Sequence, residues 1–291
     1  MYKTFRGWER DIGIRASLTE LIKLAKATGF EGVEIDIQEA AELARERGLE
    51  YIKNLFADAH ILPAGWPLTM VNWHAEEKTY QEGLSQLPSF AEFGQWLGCT
   101  RVLSVVLPYS DELPFKENFE FHVTRLQSIA EILKDYDCRL GLEYIGSKIA
   151  HAGHKYEFIR NMEGLLDLCD SIGTGNVGLL LDSWHWYTAQ ETLNDLRQLN
   201  TKDIVYIHVN DAPNDVPFDQ LGEGPRCIPG ETGVINLVGF LKCLREIKYD
   251  GPVAPEPNHR FCDKVRRMSA LEAARALSEA LNKLWREAGL C

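Results

Sequence analysis

Short apolar runs alternate with longer stretches of helical periodicity along nearly the whole chain. Some runs, such as Val177-Gly178-Leu179-Leu180-Leu181, contain no polar residue at all. That is the pattern of strands covered on both faces in a parallel sheet, not of half-exposed strands. The strands predicted on this basis are Ile12–Arg15, Gly32–Asp36, His60–Gly65, Arg101–Leu107, Arg139–Tyr144, Val177–Leu181, Ile204–Val209 and Pro252–Pro255. Between them lie segments with apolar residues at helical spacing. Ser17–Thr28 opens on Ser17 with Glu20 three residues later, a capping-box arrangement, and closes at Gly29. Phe90–Gly98, Lys116–Tyr136, Lys155–Ser171, Glu191–Leu199, Asn236–Ile247 and Ser269–Ala288 complete the predicted helices. Eight strands alternating with helices predict an α/β protein: a parallel, eight-stranded (β/α)8 TIM barrel occupying residues 1–291 as a single domain. A doubly wound sheet is the alternative, but no G-x-G-x-x-G follows an early strand. The longest irregular stretch is Asp211–Gly233, and long loops in compact domains tend to be functional.

Composition narrows the function classes. The 291 residues are 45% apolar and 25% charged, which excludes disorder as the main state. The net charge of −12 opposes a phosphate backbone as partner. The densest basic cluster is only Lys264 with Arg266-Arg267, so no nucleic acid is expected. No apolar stretch is long enough to span a membrane, and the first residues lack the apolar core of a signal peptide. Seven cysteines form an odd set without a C-x-x-C pair. They point to reduced thiols in a cytoplasmic protein, not to a disulfide frame or a thiolate zinc site.

In a barrel, the active site lies where strands end and βα loops begin. Four polar residues fall at such ends: Glu143, Asp182, His208 and Glu256. They close four consecutive predicted strands, each pair separated by room for one crossover helix. Neighbouring strands lie about 4.8 Å apart, so side chains from these ends can converge. Three carboxylates meeting in a partly dry site repel one another and need a cation. Three carboxylates and one imidazole suit one divalent ion: Mn²⁺ or Mg²⁺ by ligand hardness, Zn²⁺ or Co²⁺ through the histidine. Each residue also has a plainer reading. Asp182 could simply cap the next helix, and a lone histidine after an apolar strand is commonly a hydrogen-bonded core residue. Glu143 and Glu256 are harder to explain that way, because Glu is a poor cap and is rarely buried unpaired.

The same residues carry a family resemblance. Asn176-Val177-Gly178-Leu179-Leu180-Leu181-Asp182-Ser183-Trp184-His185-Trp186 resembles the Asp-x-x-His segment of the xylose isomerase-like barrel superfamily, in particular its sugar phosphate isomerase/epimerase group. Gly141-Leu142-Glu143-Tyr144, Tyr206-Ile207-His208-Val209-Asn210-Asp211-Ala212, Arg226-Cys227-Ile228-Pro229-Gly230-Glu231-Thr232-Gly233 and Ala254-Pro255-Glu256-Pro257 resemble its other motifs. Inosose isomerases and ketose 3-epimerases are the relatives it suggests. The resemblance implies metal ligands at Glu143, Asp182, His208 and Glu256, with Glu143 and Glu256 as the acid/base pair. It implies a substrate-contacting histidine at His185 and a substrate-binding arginine at Arg226.

The expectation is therefore a metal-dependent isomerase or epimerase of a small sugar, keto-sugar or inosose, acting through an enediolate. Trp66 and Trp184 are expected to offer flat apolar walls to a sugar ring. A dehydratase acting on a keto-cyclitol is the main alternative. A non-catalytic sugar-binding barrel and an endonuclease-like phosphodiesterase rank below it. The latter needs further histidine ligands, yet none occurs between Ala212 and Asn258. Barrels of this type often pair, so assembly as a homodimer is open.

Overall fold

The computed structural model describes residues 1–9, 16–224, 226–258 and 268–290. Eight strands close into a barrel: β1 (Tyr2–Phe5), β2 (Gly32–Glu34), β3 (Leu62–Pro67), β4 (Arg101–Val106), β5 (Arg139–Tyr144), β6 (Val177–Asp182), β7 (Ile204–Val209) and β8 (Pro252–Pro255). Each strand pairs in parallel with its neighbour in sequence, and β8 returns to β1. The predicted α/β barrel is thus the observed fold. The first strand differs from expectation. It is Tyr2–Phe5, whereas Ile12–Arg15 lies outside the described residues, as does the basic cluster at Lys264, Arg266 and Arg267.

Ala64, Leu103, Leu180, Tyr206 and Ala254, one from each of five strands, form a small cluster of their own. They fill the barrel interior, where side chains of alternate strands meet in layers. Gly65 makes room for this packing, since a Cβ there would lie 2.9 Å from the Tyr206 ring. The much larger apolar cluster lies between the strands and the surrounding helices.

Helix α1 (Leu18–Thr28) keeps its predicted capping box, with Gly29 at φ 78° ending it. Two helices that the periodicity did not resolve, α2 (Ile37–Arg47) and α3 (Leu49–Ala59), meet at Gly48 (φ 92°). Helix α4 (Glu77–Leu97) runs through Pro88, so Phe90–Gly98 was only its final part. Lys155–Ser171 is corrected: the helix α6 (Met162–Ile172) begins at the Asn161 cap, and Tyr156–Glu157 forms an antiparallel ribbon with Tyr109–Ser110. The intervening α5 is Phe115–Asp135. No helix among the described residues is long and apolar enough to cross a membrane. Cys99, Cys138, Cys169 and Cys243 are buried free thiols, and burial pushes Cys138 and Cys169 up to about 12.

The register places the site. Asp182 pairs with His208, His208 with Ala254, and Val105 with Glu143. Glu256 follows β8 directly, its amide bonded to Val209 O at 2.9 Å. The strand ends therefore bring these side chains to one level at the barrel mouth.

Candidate metal centre

Glu143, Asp182, His208 and Glu256 each offer a ligand atom, and these atoms lie within 4.8 Å of one another. All four residues are buried. His208 Nδ1 is 3.5 Å from Glu143 Oε1 and 3.4 Å from Glu256 Oε2. Ligands about 2.1 Å from one ion sit roughly 3.0–3.4 Å from each other, so this spacing approaches that of a coordination shell. Glu143 Oε1 and His208 Nδ1 are buried without a hydrogen-bond partner. Buried polar atoms are rarely left so. The unused lone pairs and the oxygen-rich donor set fit one divalent cation.

The surroundings hold the cluster in place. Asp182 does both things its position allows. Its Oδ1 caps the short helix α7 (Ser183–Thr188) through Trp184 N at 2.8 Å and accepts from Asn210 Nδ2 at 2.9 Å. Its Oδ2 accepts from Arg226 Nη1 at 2.9 Å. The same Nη1 donates to Glu256 Oε2 at 2.7 Å, and Arg6 Nη1 donates to Glu256 Oε1. Burial drives the Asp182 carboxyl well above its usual range, against the pull of Arg226. Burial acts the same way on Glu256, but Arg6, His208 and Arg226 outweigh it and hold that carboxylate well below its usual range. For His208, burial favours the neutral ring, but Glu256 and Glu143 prevail and raise it well above the usual imidazole value.

His185 stands beside the cluster, with Nε2 3.3 Å from Arg226 Nη2 and 4.0 Å from Asp182 Oδ2. Its Nδ1 accepts from Gly146 N at 3.2 Å. Burial, reinforced by Arg226, keeps the ring neutral. Gly146 N therefore donates to one ring nitrogen, and the guanidinium of Arg226, which can only donate, faces the other. Arg226 comes from the long loop, which Asp211 pins by accepting four backbone N–H groups. These are Ala212 N and Ile235 N at 2.9 Å each, Thr232 N at 3.0 Å and Gly233 N at 2.7 Å. Asp211→Ala is expected to cost at least ~2 kcal/mol in urea unfolding, since each buried donor left unsatisfied costs about 1–3 kcal/mol.

Trp184 is fully buried, 5.5 Å from the Arg226 guanidinium, so it braces that arginine. Trp66 does not face the mouth. Its indole donates to Cys99 O at 3.0 Å, just before β4 begins, and packs against Gly94 of α4. It belongs to the strand–helix layer, and the expectation of a sugar-facing wall at Trp66 is corrected.

Four further residues enter the site that the sequence pattern did not single out: Arg6, Trp8, Glu34 and Glu223. Glu34 ends β2, the same strand-end position that marks the four ligands. Its Oε1 accepts from Arg6 Nε at 3.1 Å and Trp8 Nε1 at 2.7 Å, and its Oε2 lies 3.5 Å from His208 Nε2. Burial opposes its charge, yet Arg6, then His208 and Trp8, lower it to about 2. Glu223 accepts from Arg226 Nη2 at 2.9 Å.

Farther from the centre, Glu191 accepts from Tyr144 Oη, and from Met162 N at 2.6 Å. Burial raises its carboxyl to about 7 despite those two bonds, with nearby Asp195 adding to the rise. A carboxyl with a raised folded value contributes stability fully below its unfolded value, about 4.3. That contribution is lost as pH climbs towards 7. The wild type should therefore lose stability relative to Glu191→Gln across this window, as measured by urea unfolding at stepped pH.

A family model for xylose isomerase-like TIM barrels matches residues 22–284. The chain belongs to that family. An inosose isomerase from Bacillus velezensis is 25% identical over 267 residues, covering 91% of this chain and 92% of the relative. A xylose isomerase domain protein from Alicyclobacillus acidocaldarius superposes with TM-score 0.87 at 30% identity, covering 99% of both chains. A crystal structure of the IOLI protein with a bound zinc atom superposes with TM-score 0.79 at 23% identity over 98% of each chain. In this xylose isomerase-like barrel, the gathered side chains stand on the ends of β5 to β8, on the face where such barrels place their chemistry.

Proposed function

We propose that this protein is a metal-dependent isomerase or epimerase of a small keto-sugar or inosose. The observation that carries the reading is the convergence of Glu143, Asp182, His208 and Glu256 within 4.8 Å. The inosose isomerase relatives, which align over nine-tenths of the chain, support the substrate class. Zinc on a barrel of this fold makes Zn²⁺ the first ion to test, ahead of Mn²⁺, Mg²⁺ and Co²⁺.

Moving a carbonyl, or inverting the carbinol beside it, requires loss of a proton from the carbon next to the carbonyl. A divalent cation held by the four residues supplies the positive charge that stabilises the resulting enediolate. Glu143 and Glu256 stand at opposite ends of the ligand set, on β5 and after β8. One carboxylate takes the proton from carbon, and the other delivers a proton to the neighbouring carbon or to the opposite face of the same one. His185 hydrogen-bonds a substrate oxygen beside Arg226. Arg226 shifts part of its charge from Glu256 and Asp182 to the substrate oxygens, braced from behind by Trp184. Val105, paired with Glu143 and 40% exposed, leaves an apolar sill at the mouth against which C–H groups can rest.

The test is proton NMR in D₂O with zinc-loaded protein and a panel of inososes and ketohexoses. The expected result is deuterium entering at the carbon beside the carbonyl, with an isomer as product. A product lighter by one water would move the protein to the dehydratases. No exchange with any substrate would reject the reading.

A further inference from the structure

We propose that Glu34 is the positioning residue that sets which nitrogen of His208 faces the metal. The inference rests on the metal-site reading above and concerns a side chain outside the ligand set. His208 presents Nδ1 to Glu143 and Glu256, and Nε2 to Glu34. A metal takes the lone pair of an imidazole nitrogen, so Nδ1 must be bare and Nε2 must carry the hydrogen. A carboxylate against Nε2 enforces that arrangement, because it can only accept.

Glu34 is well fixed for this role. It is 2% exposed, and its Oε1 is held by two donors, Arg6 Nε at 3.1 Å and Trp8 Nε1 at 2.7 Å. That leaves Oε2 for His208 at 3.5 Å. Glu34 cannot easily turn to become a ligand itself, since doing so would strand the indole N–H and part of the guanidinium in a buried site.

The two donors on Oε1 lead to an unusual expectation for the nearest isostere. In Glu34→Gln, the amide oxygen must stay at the Oε1 position to satisfy Arg6 and Trp8. The amide NH₂ then faces His208 Nε2 and makes that nitrogen the acceptor. The hydrogen moves to Nδ1, the nitrogen the metal needs. Gln is therefore worse than a simple loss of charge. Ala, which imposes no hydrogen-bond direction, leaves His208 free to present Nδ1.

The experiment is zinc titration by calorimetry with chelator competition on wild type, Glu34→Gln and Glu34→Ala, each checked for native circular dichroism. Zinc affinity is expected to fall roughly 10–100-fold in Glu34→Gln, and to be no tighter than in Glu34→Ala. Gln binding zinc clearly more tightly than Ala would overturn the proposal, because charge or packing alone predicts that order. If Glu34→Ala does not fold, Trp8→Phe added to Glu34→Gln takes its place. Removing one donor lets the amide turn, so zinc affinity should partly recover, and no recovery overturns the proposal. A wild type that binds no zinc, manganese, magnesium or cobalt fails at the metal site itself, before Glu34 is in question.

Discussion

With zinc retained, Glu256→Gln and Glu143→Gln are each expected to abolish deuterium entry at the substrate carbon and to lower turnover roughly 10²–10⁴-fold, the usual worth of a positioned acid or base. The amide keeps the size of the side chain and one ligand oxygen, but it cannot accept a proton from carbon. The two positions differ in their surroundings. Glu256 is gripped by Arg6 and Arg226, which hold it ionised whether or not a cation is present. Glu143 Oε1 has no hydrogen-bond partner, so it is the freer of the two to ligate the cation. Zinc occupancy should therefore survive better in Glu256→Gln, where neutralisation also frees two guanidinium groups to contact the substrate. Metal content measured beside exchange separates the effects. Retained exchange in either zinc-loaded variant would remove that residue from the proton transfer.

Stripping the metal is expected to eliminate activity and to lower thermal stability, and re-adding it should restore both. The folded site gathers three buried carboxylates whose mutual repulsion is offset by the positive charges of Arg6, Arg226 and His208. The unfolded chain has no such gathering, so the cation binds the native state almost alone. At 100-fold over Kd, binding one ion adds about 2.7 kcal/mol to stability. For a chain of this size, each kcal/mol moves Tm by roughly 2–4 °C. Differential scanning calorimetry with and without chelator reads the shift. A protein whose Tm and deuterium exchange ignore chelator would not be the enzyme proposed here.

Much of the site was legible because strand-end position is a sequence property. Val177–Leu181 and Ile204–Ile207 are so apolar that the first polar residue after each, Asp182 or His208, marks where the strand leaves the core. The same rule fails where the strand does not look buried. Tyr2-Lys3-Thr4-Phe5 carries two polar residues, yet it is β1. Thr4 is fully buried, and Lys3 is satisfied by Asn282 of the C-terminal helix (Ala270–Ala288). With β1 misplaced, Arg6 had no strand end to stand on. Glu34 was hidden differently. The apolar reading ran on to Asp36, which instead caps α2 through Gln38 N at 2.9 Å, so Glu34 looked mid-strand when it is terminal. Trp66 sits on a strand like the ligands, but its side chain points into the helix layer, a direction that composition does not carry.

The amino-acid order by itself determined the alternation of strand and helix, and with it the barrel and four candidate ligands on successive strands. Those follow from local periodicity and from the cost of burying polar groups, both of which act residue by residue. Only the closed structure decided which other charges surround the ligands. Arg6 reaches Glu256 across 250 positions of sequence, and Glu34 reaches His208 across 174. Electrostatic partnership depends on distance in space, and the contact between the first and last strands exists only once the barrel has closed.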